Sequence, residues 1–182
     1  MNITFLSKVE YAALNITYGV MDNRLDTAQP LMVASCAQGV VAIRPFKNDV
    51  SEVVELHWVR DDAKNSALCQ EVEAYLGGET MQWQAPVVMA GSPFRAKIWQ
   101  EIANIPFGET ITYSELAERA GNPKAIRAAA SGCATNPVPL IVPCHRVVGK
   151  GGGLGGFAWG LPYKKSLLAL EQNNSWSARR NG

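Results

Sequence analysis

Three helix starts crowd the stretch from Ser92 to Ala134, and their spacing limits the C-terminal half of this chain more than any other feature. Ser92-Pro93 opens the first: Ser is a good N-cap, Pro suits the first helical position, and Phe94, Ile98 and Ile102 form one apolar stripe before Ile105-Pro106-Phe107-Gly108 ends it. Thr112-Tyr113-Ser114-Glu115 is a capping box for a short helix carrying Leu116 and Ala117, which stops at Gly121. Asn122-Pro123 then caps a third helix expected to run to about Ala134. Two short helices joined at Gly121 make a helix-turn-helix pattern, for which an ordinary helical hairpin is the plain alternative.

The last of these helices is unusually bare. Ala125, Ala128, Ala129, Ala130, Ser131, Gly132 and Ala134 leave Arg127 as its one long basic side chain after Lys124. Reading bases in the major groove needs several bidentate polar side chains, and this helix lacks them. A smooth helix can instead lie close to a nucleic-acid backbone or in a shallow groove, with weak sequence preference. Charge agrees: Met1 to Ala85 carries 6 Lys+Arg against 11 Asp+Glu, a net −5, whereas Pro86 to Gly182 carries 11 against 5, a net +6. Any polyanion is therefore expected to meet the second half.

Pro143-Cys144-His145-Arg146 follows the apolar run Leu140-Ile141-Val142, read as a buried strand that ends at the cysteine. A thiol is a nucleophile only as thiolate, and the adjacent base and cation are the local means of lowering its pKa. A buried, inert core cysteine is the plainer reading of such a residue. Neighbours in extended chain point to opposite faces, so His145 can serve Cys144 only through a turn or a bridging water. The same geometry argues against a shared metal ion, and the sequence has no Cys-x-x-Cys pair. No metal or other cofactor is expected.

In the first half, Tyr11 to Val20 and Leu31 to Cys36 read as strands, and Ala37-Gln38-Gly39 turns the chain into a hairpin with Val40 to Arg44. Asp49 with Glu52 suggests a capped helix through Leu56, and Ala63 to Leu76 a second helix ending at Gly77-Gly78. His57 is read as structural, Cys36 and Cys69 as core residues, and Glu79 to Gly91 as a linker. Gly149 to Gly160 is glycine-rich but matches neither phosphate-binding signature, and reads as a mobile loop shaping a pocket near Cys144. A helix from Pro162 through Glu171 follows, then a frayed tail. With 47% hydrophobic residues the chain can fill one sizeable core or two small ones. It shows no signal peptide or membrane span, and its four scattered cysteines fit a reducing compartment, so a soluble, cytoplasmic protein is expected.

From about Ser92 to Glu171 these motifs together resemble the O6-alkylguanine-DNA alkyltransferases, or methylated-DNA-protein-cysteine methyltransferases. The resemblance rests on Gly108-Glu109-Thr110 with Thr112-Tyr113, on Gly121-Asn122-Pro123-Lys124-Ala125 with Arg127, on Asn136-Pro137, on Pro143 to Val148, and on Leu167-Leu168 with Glu171. It implies an α+β fold: an N-terminal ribonuclease H-like α/β domain with an antiparallel sheet over 1–85, and a mostly helical helix-turn-helix domain over 86–182. It implies direct, single-use transfer of an alkyl group from O6 of guanine, or O4 of thymine, to Cys144. His145 would take the thiol proton through a water, Glu171 would orient the imidazole, Asn136 would brace the turn, and Tyr113 would assist the departing guanine.

The partner implied is double-stranded DNA carrying alkylated guanine, approached from the minor groove by a monomer with little sequence preference. Arg127 would fill the gap left by the flipped base, with Thr110, Tyr113, Lys124, Ala125, Ala128 and Ser131 against the DNA. Cys133, Pro139, Val147, Val148, Gly156, Phe157, Ala158 and Trp159 would form the substrate pocket. Phe157-Ala158-Trp159 departs from the family's tyrosine and hydroxyl residue, so a backbone amide would have to serve O6, and Trp159 is expected to narrow the pocket against large substituents. The rival readings are a lesion-binding or regulatory DNA-binding module without transfer, and a thiol hydrolase using Cys144 and His145.

Overall fold

The computed structural model describes residues 2–25, 29–46, 56–79 and 82–180. They fall into two compact units, Met1–Gly91 and Ser92–Gly182.

The first unit is built on a six-stranded sheet. Its strands are β1 (Ile3–Leu6), β2 (Thr17–Met21), β3 (Leu31–Cys36), β4 (Gly39–Pro45), β5 (Val59–Arg60) and β6 (Val87–Ala90), in the order β1-β6-β4-β3-β2-β5. The expected hairpin is present as β3–β4, with a register shift at Ala34/Ser35, and β2 extends it antiparallel. The sheet as a whole is mixed, because β6 joins β4 in parallel, β1 joins β6 in parallel and β5 joins β2 in parallel. Two sequence expectations change here. Tyr11 is not in a strand: Ser7 and Glu10 form a capping box that starts helix α1 (Lys8–Ala12), and the strand begins only at Thr17. Val87–Ala90, expected within a linker, are a strand whose Val87, Val88 and Met89 are fully buried; an apolar run of four between turn residues is long enough to cross a sheet.

Helix α2 (Ser66–Leu76) buries Leu68, Val72, Tyr75 and Leu76, at the spacing read from the sequence. The capped helix proposed from Asp49 lies outside the described residues except for its last residue, Leu56, which with His57 sits in an exposed turn rather than a helix. Cys36 and Cys69 are half-buried rather than core.

In the second unit, α3 (Pro93–Ala103) buries Ile98, Trp99 and Ile102 and is capped by Ser92, whose Oγ accepts from Arg95 N. Strand β7 (Ile111–Thr112) leads into α4 (Tyr113–Arg119), where both bonds of the Thr112–Glu115 capping box form. The chain turns at Gly121, and α5 (Ile126–Ala134) starts later than expected. Asn122 does not cap it: its Oδ1 accepts from Lys124 N and its carbonyl from Ala125 N, so 122–125 close a turn of their own. The bare composition of α5 is a packing requirement as well as a surface property. A Cβ on Gly132 would stand 2.6 Å from Ile98 Cγ2, and Trp99 Nε1 donates to Gly132 O at 3.0 Å, so α5 lies directly on α3.

Leu140-Ile141-Val142 is buried but is not a strand; it is an irregular turn in which Leu140 has φ +76° and Val142 N bonds Val138 O. A 3-10 turn over Cys144–Arg146 follows, then β8 (Val147–Val148), paired in parallel with β7. Helix α6 spans Leu161–Arg180, continuing beyond the point at which fraying was expected.

Candidate active site

The pairing of β7 with β8 puts two sequence-distant motifs side by side. Tyr113 directly follows β7, and the Cys144–Arg146 turn directly precedes β8. Asn136 holds the turn from inside: its Nδ2 donates to Val142 O at 2.7 Å and to Cys144 Sγ at 3.2 Å, and its Oδ1 accepts from Val138 N. The backbone path from 136 to 144 is thus fixed by one buried amide that also touches the sulfur.

Cys144 is 2% exposed, and burial pushes its thiol up to about 11 despite the opposing Asn136 bond and the positive charge of Lys164. This reverses the sequence expectation of a lowered pKa, because loss of hydration outweighs the neighbouring donors. At neutral pH the resting sulfur is a thiol, with a thiolate fraction on the order of one in ten thousand.

His145 is also buried, and burial lowers its pKa against the pull of Glu171. Its Nε2 lies 2.7 Å from Glu171 Oε1. A ring that donates Nε2–H to a carboxylate carries its lone pair on Nδ1, so the neutral imidazole is a base at that atom. The 3-10 turn also removes the geometric objection to its position. Successive side chains in such a turn are separated by about a third of a turn, instead of facing oppositely as in a strand.

Glu171 is held by more than the histidine. Arg146 Nε bonds both its oxygens, at 3.1 and 2.9 Å, Arg146 Nη2 bonds Oε1 at 2.9 Å, and Gly108 N donates to Oε2 at 3.0 Å. Although burial opposes ionisation, the bonds and charges of His145 and Arg146 bring Glu171 down to about 2, so it is a permanent carboxylate. Arg146 in turn donates Nη1 to Ile105 O at 2.6 Å and lies over the Phe107 ring. Its cation thus serves the carboxylate, one step removed from the sulfur.

A cavity of about 400 Å³ opens at Cys144, lined by Tyr113, Ala130, Cys133, Ala134, Gly156, Phe157 and Ala158. A 6-O-methylguanine DNA methyltransferase, DNA binding domain family model matches residues 93–173, which contain this whole site. Over 145 residues the chain is 36% identical to the methylated-DNA–protein-cysteine methyltransferase of Methanosarcina mazei, spanning 80% of this chain and 92% of the relative. The chain belongs to the methylated-DNA–protein-cysteine methyltransferase family. The crystal structure of Mycobacterium tuberculosis O6-methylguanine methyltransferase is similar with a TM-score of 0.78 and 31% identity, over 87% of this chain and 94% of that one. A crystal structure of Mycobacterium tuberculosis OGT in complex with DNA matches over the same shares with a TM-score of 0.77 and 31% identity.

In this methyltransferase four of the eight expected pocket residues line the cavity: Cys133, Gly156, Phe157 and Ala158. Pro139, Val147 and Val148 are buried in the packing beneath it, and Trp159 is not part of its wall. The Trp159 ring meets Phe157 and Tyr163 edge-on, each at 5.6 Å, so its bulk backs Phe157 instead of narrowing the cavity as expected. Phe157 also stands edge-on to His145 at 6.4 Å. Of the residues expected against DNA, Thr110, Lys124, Arg127, Ala128 and Ser131 are exposed, and Tyr113 and Ala125 are half-buried.

Sequence reasoning missed Lys164. It is fully buried on α6, on one face with Leu167 and Glu171, and its Nζ donates to Val147 O at 2.6 Å, to Gly156 O at 3.2 Å and to Leu154 O. Burial lowers its pKa. These three carbonyls tie the glycine-rich loop to β8, so the loop expected to be mobile is anchored at its middle. Gly155, at φ +64°, is required there, since a Cβ would stand 2.7 Å from the Tyr113 ring. Tyr113 Oη donates to Gly156 O at 3.3 Å and accepts from Gly156 N at 3.4 Å. The available signal was a lone Lys at helical spacing from Glu171, which in sequence looks like a solvated charge.

Proposed function

We propose that this chain repairs DNA by transferring an alkyl group from O6 of an alkylated guanine to Cys144, in a reaction that consumes the protein. The observation that carries this reading is a buried sulfur at the base of a base-sized cavity, bonded by Asn136 and adjacent to a histidine fixed by a permanent carboxylate.

The step is a displacement at carbon. The thiol proton passes to His145 Nδ1 through a bridging water, the sulfur attacks the alkyl carbon, the S–C bond forms as the C–O6 bond breaks, and the electron pair leaves on the guanine oxygen. Tyr113, whose pKa is raised mainly by burial, keeps its proton and can donate a hydrogen bond to the departing base. The imidazolium is balanced by Glu171, the nucleophile, base and orienter scheme of thiol chemistry. The resting pair is neutral, so charge appears only during reaction, and the thioether product is not hydrolysed by water.

A base inside a duplex cannot reach this sulfur, so the nucleotide is flipped into the cavity. The exposed Lys124, Arg127, Ala128 and Ser131 continue from the cavity wall along α5, a smooth basic edge suited to the minor groove with little sequence preference. We assign DNA binding and alkyl acceptance to the C-terminal unit, as a monomer, and a supporting role to the N-terminal α/β unit. Its four free cysteines suit a reducing cytoplasm.

Intact-mass measurement after incubation with duplex DNA containing O6-methylguanine tests the reading. One methyl gained per chain, mapped to Cys144 and absent in Cys144→Ala, is the expected result. DNA binding without mass gain would instead support a lesion-marking module, and repeated turnover on an ester would support a hydrolase.

A further inference from the structure

We infer that Ile126 is a positioning residue for base extrusion: an apolar wedge that contacts the base step flanking the flipped nucleotide. The inference rests on the alkyl-transfer reading above.

Ile126 is the first residue of α5 and is 42% exposed. A single exposed aliphatic side chain is ordinary, and its place on the helix is what gives this one meaning. Residues 126, 130 and 133 lie at i, i+4 and i+7, one stripe of a helix. Ala130 and Cys133 line the cavity, so Ile126 stands on the same stripe one turn outward, beyond the wall. The other exposed positions of α5 beside Arg127 are Ala128, Ser131 and Ala134, all small. Ile126 is therefore the one large apolar group that α5 exposes, and it is flanked in sequence by Lys124 and Arg127, which favour a polyanion.

Spacing then assigns its contact. Four residues of helix rise about 6 Å, less than two base-pair steps of about 3.4 Å. With the flipped base between Ala130 and the cavity floor, Ile126 meets the neighbouring step of the duplex. Proteins that work from the minor groove insert aliphatic wedges at such steps, which lowers the cost of unstacking. Arg127 lies about 100° around the helix from Ile126, so the two side chains can divide the task, one occupying the vacated space and the other holding the adjacent step open.

The test compares single-turnover methyl transfer from duplex DNA and from a single strand carrying the same O6-methylguanine, since only the duplex needs extrusion. Ile126→Ala is expected to lower the duplex-to-single-strand rate ratio about tenfold, with a larger loss where stiff G·C steps flank the lesion than where flexible TA or CA steps do. Ile126→Leu should restore the ratio to within about threefold, and Ile126→Gln, which keeps length but not apolarity, should not. A ratio equal to that of the wild type in both Ile126→Ala and Ile126→Gln overturns the inference. Failure of the wild-type protein to gain a methyl from either substrate would overturn the underlying reading instead.

Discussion

Glu171 Oε1 receives His145 Nε2 at 2.7 Å and Arg146 Nη2 at 2.9 Å, so one buried oxygen serves the candidate base and a structural cation together. The carboxylate belongs to the fold as much as to the chemistry. Glu171→Gln keeps the shape but leaves Arg146 without its counter-charge in a dry site. Breaking a buried pair in this way costs about 3–5 kcal/mol, and urea denaturation should show a loss of that size. The slower transfer expected from Glu171→Gln has to be measured on the fraction still folded.

The same group sets the acid limb of stability. Glu171 sits at about 2 in the folded state against 4.5 ordinarily, so its contribution is complete above about pH 4.5 and is lost as pH falls through about 2. Its ceiling is about 3 kcal/mol by linkage. His145 acts in the same sense: its lowered pKa favours the neutral ring of the folded state, and that contribution is lost as pH falls below its ordinary 6.5. Denaturation midpoints should therefore fall from near pH 6.5 downward, and Glu171→Gln should flatten the part below 4.5. An unchanged slope in that variant would show that other carboxylates control the acid transition.

For the sulfur, the expectation is low reactivity at rest. With Cys144 near 11, its alkylation by a small haloacetamide should rise about tenfold per pH unit across the neutral and mildly alkaline range. Asn136→Ala removes the bond that lowers the pKa and should reduce the rate at any given pH below 11. Peptide mapping separates this site from half-buried Cys36 and Cys69.

How much of this was legible in the sequence varied with the range of the forces involved. Local signals carried well: Ser92 and the Thr112–Glu115 box cap the helices they mark, and the Leu31–Cys36 strand has the ends read for it. Apolar runs were ambiguous, since Leu140-Ile141-Val142 looks like a strand but is a turn fixed by a side chain six residues from the last of them, Asn136. Val87–Ala90 failed in the opposite direction because pairing with β1 and β4 is non-local. At the site, the Cys-His-Arg motif was visible, but the sign of the thiol shift depends on burial, which no spacing records. Lys164 was invisible because its three partners are backbone carbonyls, and carbonyls have no sequence signature.

Lys164→Met tests that anchor. The substitution keeps the aliphatic length and removes the donor from Val147 O, Leu154 O and Gly156 O. Buried carbonyls left without a donor cost about 1–3 kcal/mol, and the loop they hold should become open to proteolysis between Gly149 and Gly160. Tyr113 loses its fixed partner at Gly156 along with the loop, so transfer should slow more than in Tyr113→Phe, where the loop stays tied. Equal protease resistance in Lys164→Met and wild type would mean that the loop is held by its own glycine turns.

The contact of α3 with α5 gives the sharpest steric prediction. In Gly132→Ala the new methyl meets Ile98 Cγ2 at 2.6 Å, on a β-branched side chain buried in α3 that cannot swing aside. Overpacking of this kind costs about 1–3 kcal/mol, and α5 must move off α3, weakening the Trp99 Nε1 bond to Gly132 O. Because α5 carries both the cavity wall and the exposed basic edge, DNA affinity should fall with stability. Ile98→Ala alone is destabilising through the cavity it leaves, yet in combination with Gly132→Ala it makes room for the methyl. The double variant should therefore be more stable than the sum of the two single losses, by more than the roughly 0.5 kcal/mol scatter of independent sites. Strict additivity would mean that α5 already sits further from α3 than a glycine contact implies.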